Sequence, residues 1–110
     1  MRDSQIIRRY VEQKSEAAFT EIIRRHARLV YNTCFRETRN AMLAEDAAQA
    51  VFLILARKAN GLRNHASLGS WLFKTARYVA MNALAQDRKR LARERFLSHG
   101  RQPRQCPGQP

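Results

Sequence analysis

The sequence predicts an all-α fold, a compact three- to four-helix bundle with a disordered basic C-terminal tail. Apolar residues recur at three- and four-residue steps through four successive segments, the period of a helix that lays one face on a core. No segment shows the apolar/polar alternation of a half-buried strand, and no internal repeat is present. At 110 residues the chain is one domain's worth, able to bury roughly two-thirds of the surface its unfolded form exposes.

Asp3 or Ser4 can cap a short first helix through about Gln13, with Ile6, Ile7, Tyr10 and Val11 on one side. Ser15 stands where the N-cap of a second helix belongs. From there Phe19, Ile22, Ile23, His26, Leu29, Val30 and Thr33 form one stripe to about Glu37, while Glu21, Arg24, Arg25 and Arg28 fall mostly off it. Asn40 can cap a third helix from Ala41 to about Ala59, with Leu43, Ala47, Val51, Ile54 and Leu55 inward. Asn60-Gly61 predicts a break, followed by a polar connection with single apolar residues. A fourth helix is expected from about Leu68 to Arg95, with Leu72, Thr75, Ala76, Val79 and Ala83 inward. The helical domain then spans 1–96, and 97–110, rich in Pro, Gly and Gln, is expected to be a disordered linker-like tail.

Charge is unevenly spread. Residues 1–58 hold 11 Lys/Arg against 7 Asp/Glu, whereas 59–110 hold 10 against 2, so most of the net +12 belongs to the C-terminal half. Such a balance points first to nucleic acid, and less often to an anionic membrane surface or an acidic protein. Cys34 lies in an apolar helix and Cys106 in the tail, which makes neither a disulfide framework nor a metal-ligand set. His26, His65 and His99 have no carboxylate or thiolate partner at ligand spacing. No P-loop, paired-carboxylate or nucleophile-base pattern stands out, so neither an enzyme nor a cofactor is expected. The start MRDSQIIRRYVEQ has no signal-peptide core and no segment nears ~20 apolar residues. The expected compartment is the cytoplasm, without membrane association.

Two helical faces could carry function. On the third helix Asp46, Gln49 and Leu53 share a face apart from the inward stripe, flanked by Glu45 and Phe52. An acid and an amide beside apolar anchors have the composition of a partner site. Equally, Phe52 could be core on a helix buried on two sides, with Glu45 and Asp46 only complementing the helix dipole. The following connection offers Asn60, Arg63, Asn64, His65 and Ser67, which could contact base edges or phosphates or be an ordinary polar link. On the fourth helix Lys74, Arg77, Tyr78 and Asn82 lead into Arg88, Lys89, Arg90, Arg93 and Arg95, seven cations against two acids between residues 71 and 95. That density favours a polyanion partner over a solvated face. Trp71 opens this helix, where it could wedge into the core or stack on an unpaired base.

At these residues the run from Phe19 to Arg95 resembles region 2 of bacterial RNA polymerase sigma factors of the extracytoplasmic-function type. The matching words are FTEIIRRHARLVY at 19–31, AEDAAQAVFL at 44–53, SLGSWLFKTAR at 67–77 and DRKR at 87–90. Each word is weak, and their order and spacing together are specific. The resemblance implies a helical domain that binds core RNA polymerase on the clamp helices of its largest subunit and recognises and melts the promoter minus-ten element. By position, Glu45, Asp46, Gln49, Phe52 and Leu53 would face the polymerase. Asn60, Arg63, Asn64, His65 and Ser67 would border the pocket for a flipped base of the non-template strand. Lys74, Arg77, Asn82, Arg88 and Arg90 would contact promoter DNA.

An anti-sigma protein is a further candidate partner. The resemblance also has departures: nothing after Arg95 could form the helix-turn-helix region 4 that normally follows, and His65-Ala66 stands where the family often has Gly-Asp. The rival expectation is a small basic helical interaction protein that binds polymerase, an anti-sigma partner or nucleic acid nonspecifically, without promoter opening.

Overall fold

The computed structural model describes residues 1–63 and 67–100, the last four in backbone alone. Four α-helices follow one another: α1 (Asp3–Gln13), α2 (Glu16–Thr38), α3 (Ala41–Leu62) and α4 (Leu68–Gly100). No strand occurs among the described residues. Two of the expected caps are in place. Ser15 Oγ accepts the Ala18 N–H at 3.1 Å and Asn40 Oδ1 accepts that of Leu43 at 3.0 Å, each satisfying an amide that the first turn would leave without a partner.

The first helix begins differently from the expectation. Its N-cap is Arg2, whose N–H donates to Gln5 Oε1 at 2.8 Å. Asp3 is taken instead by α2, where Arg25 and His26 approach its carboxylate at 3.1 and 2.9 Å. α1 and α2 both end at left-handed residues, Lys14 (φ 54°) and Arg39 (φ 52°), which turn the chain sharply at the cost of an uncommon conformation for a residue with a Cβ.

The break expected at Asn60-Gly61 does not occur, and α3 runs through both to Leu62. Leu62 is buried, and its contacts hold the last turn together against the local preference of Asn and Gly for a turn. Asn60 therefore sits on a helix and not in the connection. α4 likewise continues past Arg95 to Gly100, so the first residues assigned to the tail are helical. The rest of the tail, 101–110, lies outside the described residues, as do Asn64, His65 and Ala66.

All four helices contribute to one core: Ile6 and Ile7 from α1, Ile22, Val30 and Cys34 from α2, Val51 and Leu55 from α3, and Leu68 and Leu72 from α4. Each fully buried Leu, Ile or Val contributes about 1.5–3 kcal/mol. α4 buries Leu68, Leu72, Ala76 and Ala80, at strict four-residue steps. α3 buries Ala44, Ala47 and Ala59, and these small side chains allow close backbone approach. Leu43 and Ile54, expected inward, are only half-buried, and Leu29 is exposed at 36%. Beyond Ala80 no described residue of α4 is fully buried, so the distal part of the helix reaches past the bundle.

Candidate functional site

α3 sorts its two sides cleanly. Ala44, Ala47, Val51, Leu55, Ala59 and Leu62 are buried against the other helices. On the far side Asp46 and Gln49 are exposed, between Met42 at 76% and Leu53 at 66%. These four lie at steps of four, three and four, hence on one line along the helix. Phe52 is half-buried and packs against the core at the edge of this line. It is both core flank and border, which joins the two readings its spacing allowed. Met42 was not among the sequence candidates, although it stands one turn before Asp46.

The electrostatics single out the same place. The chain has nine acidic residues, and six of them are bound by a basic side chain: Asp3, Glu12, Glu21, Glu37, Asp87 and Glu94. Glu16 sits in the first turn of α2, where a carboxylate complements the helix dipole. Glu45 and Asp46 remain, adjacent, exposed and without an ion pair among the described residues. In a chain of net charge +12 that is an unneutralised acidic spot beside exposed apolar anchors.

The cationic side has more internal partners than its sequence suggests. Arg77 Nε lies 3.2 Å from Glu37 of α2, and Arg63 Nη1 lies 3.1 Å from Glu12 of α1. Arg90 is bracketed by Asp87 at 2.9 Å and Glu94 at 2.8 Å, which raise its pKa, Asp87 foremost. Lys74, Asn82 and Arg88 are exposed. Ser67 is engaged as a cap, its Oγ accepting the Ser70 N–H at 3.1 Å.

Trp71 is half-buried against the core, which is its wedge role. Of the aromatics that α4 presents outward, Tyr78, 69% exposed, lies on one line with Lys74 and Met81, and Phe96 stands farther along the helix at 73%. Met81 at 50% extends that apolar surface, while Phe73 at 36% lies about 100° around the helix from Lys74. Neither was singled out from the sequence, because an outward apolar residue on a long helix looks like one more core position until the helix phase is known.

The model of the family described as sigma-70 region 2 matches residues 22–90, well over half the chain. The chain belongs to the sigma-70 region 2 family. No curated protein and no solved structure matches it. Region 2 of sigma factors in general binds core RNA polymerase and recognises the promoter minus-ten element, as a transcription-factor domain and not an enzyme. In this sigma region 2 domain the match takes in the outer face of α3, the α3–α4 connection and α4 to Arg90; α1 and the Ser15 cap lie outside it. Among the described residues no helix is long and apolar enough to cross a membrane.

Proposed function

We propose that the chain is a region 2 module of the extracytoplasmic-function type. It docks through Glu45, Asp46, Gln49, Phe52 and Leu53 on the clamp helices of the largest subunit of core RNA polymerase. The α3–α4 connection and α4 then hold the non-template strand of the minus-ten element. The observation that carries this reading is the unpaired Glu45/Asp46 couple between exposed Met42 and Leu53. Apolar anchors with a polar border are what an interface core needs, and an acidic patch adds steering toward basic residues.

On the strand side Lys74, Arg77, Arg88 and Arg90 neutralise phosphates, Asn82 adds hydrogen bonds, and exposed Tyr78 supplies a stacking surface. Taking a base out of its stack costs a few kcal/mol, which stacking and phosphate contacts offset. The site of action is the cytoplasm, away from membranes, and an anti-sigma protein would compete for the α3 face.

The test is a pull-down with core polymerase. Asp46→Ala with Gln49→Ala should abolish retention, and wild-type retention of that variant would remove the clamp assignment. The DNA half is checked by affinity for single-stranded minus-ten sequence against a scrambled strand at matched salt. Equal affinities would reduce it to phosphate binding. The internal pairs of Arg63, Arg77 and Arg90 favour a second reading, in which the chain binds polymerase or an anti-sigma partner without opening DNA. Fluorescence of 2-aminopurine placed in the minus-ten element separates the two, since only the opening module brightens it.

A further inference from the structure

The start of α1, the middle of α2, the end of α3 and the first turn of α4 converge on an open cleft of about 750 Å³. Its walls carry Arg2 and Arg8 from the α1 segment, Arg25 and His26 from α2, and Arg63 from the end of α3. Asp3 is the one carboxylate among the described residues of those walls. Its two oxygens are divided between neighbours: Oδ1 lies 3.1 Å from Arg25 Nη1, whose guanidinium also holds Glu21 through Nε at 3.1 Å, and Oδ2 lies 2.9 Å from His26 Nε2. The cleft thus already holds one oxyanion, supplied by the chain itself, between a guanidinium and an imidazole. Arginine forks suit phosphate oxygens as well as carboxylate ones.

We propose that this cleft binds backbone phosphates of a single nucleic-acid strand, with Arg2 and Arg8 as the first contacts and Asp3 as a built-in competitor for Arg25. The inference rests on the strand-binding half of the proposed function and extends it to α1, which lies outside the family match. A strand fits better than a free phosphate ion for two reasons. The cleft is open and larger than one phosphate fills, and it includes Leu68 and Gly69, where the strand-facing helix begins. From Gly69 to Lys74 is five residues, about 7–8 Å along the helix and about 140° around it, so a strand that touches both wraps the first turn of α4. The first turn of α4 has no acidic residue to oppose it.

The experiment measures binding of a labelled single strand of scrambled sequence to the full chain over a salt series, with inorganic phosphate titrated separately and followed by amide NMR shifts. Three variants are compared, each checked by thermal melting: Arg2→Gln with Arg8→Gln in the cleft, Asp3→Asn, and Lys74→Gln with Arg88→Gln on α4. The cleft pair should weaken the strand about five-fold or more and flatten the salt slope by about 1.4, since each of the two lost phosphate contacts removes roughly 0.7 on a single strand. Asp3→Asn should tighten the strand about two-fold even though it loosens α1, a gain that a purely structural role for Asp3 would not give. Unchanged strand affinity in the cleft pair overturns the proposal, and so does phosphate moving the cleft amides while the strand does not, which would make this a free-anion site. If only the α4 pair loses affinity, the cleft is wrong and the strand-binding reading stands. If neither pair does, both fail.

Discussion

Arg77 of α4 donates through Nε to Glu37 of α2 at 3.2 Å, across forty residues of sequence. The pair joins the two helices and also occupies a cation that faces the proposed strand. Glu37→Gln should release it and tighten single-strand binding roughly two- to five-fold at low salt, the range spanned by an exposed ion pair worth about 0.4–1 kcal/mol. Arg77→Gln should weaken binding instead. Fluorescence anisotropy at low and high salt checks both, and a Glu37→Gln chain that binds no tighter would show that Arg77 does not meet the strand.

Thr33 and Thr38 lie on the same helix and are both buried, yet only one hydroxyl has partners. Thr33 Oγ1 has none, while Thr38 Oγ1 sits 3.0 Å from the Cys34 carbonyl oxygen and accepts the Asn40 N–H at 3.3 Å. Replacing Thr33 by Val removes an unsatisfied polar atom at nearly constant shape and should raise stability by about 1 kcal/mol. Thr38→Val should lower it by about 1–2 kcal/mol, because it strips the turn between α2 and α3 of its partner. Urea unfolding of the two variants gives opposite signs if the buried hydroxyls differ as described.

Gly61 is helical, at ordinary φ, and a Cβ built on it meets nothing within 4 Å. Gly61→Ala should therefore stabilise the domain by about 0.5–1 kcal/mol, the helix-propensity difference. Were the chain turning at Asn60-Gly61, the same change would be neutral or destabilising, so a shift in melting temperature decides where α3 stops.

Burial pushes the Cys34 thiol up to about 11 from an ordinary 9.0, and its Sγ rests 3.8 Å from the Ala76 carbonyl oxygen. In the unfolded chain the thiol ionises first, so the unfolded form gains as pH climbs between the two values. The stability tied to this group is complete below about pH 9 and is lost as pH rises toward 11. Urea midpoints should fall more between pH 8 and pH 10.5 in the parent chain than in Cys34→Ala. In a Cys106→Ser chain, a thiol reagent at pH 8 should label Cys34 only after unfolding.

Four helices, the Ser15 and Asn40 caps and the acidic-amide face of α3 could be read in the sequence because each is written within one turn or one helical period. The Asp3 cap could not be, since its carboxylate is claimed by Arg25 and His26 more than twenty residues away. The Asn60-Gly61 break failed for a related reason: burial of Leu62 outweighs a local preference of about 1 kcal/mol. Periodicity also favoured Leu43 and Ile54 as inward, whereas α3 buries Ala44 and Ala59, because a close helix approach selects small side chains that an apolar count treats as weak. On α4 the helix phase decides that Trp71 packs inward and Tyr78 points out, and phase is fixed only by the partners. The pairing of Arg63, Arg77 and Arg90 depends on distances in space for two of the three.

The outer face of α3 as the polymerase contact is tested most directly by site-specific photocrosslinking. A photoreactive side chain placed at Leu53, incubated with core RNA polymerase, should attach to the clamp-helix segment of the largest subunit, while the same group at exposed Arg36 of α2 should not. A clamp adduct from position 36 with none from position 53 would contradict the assignment.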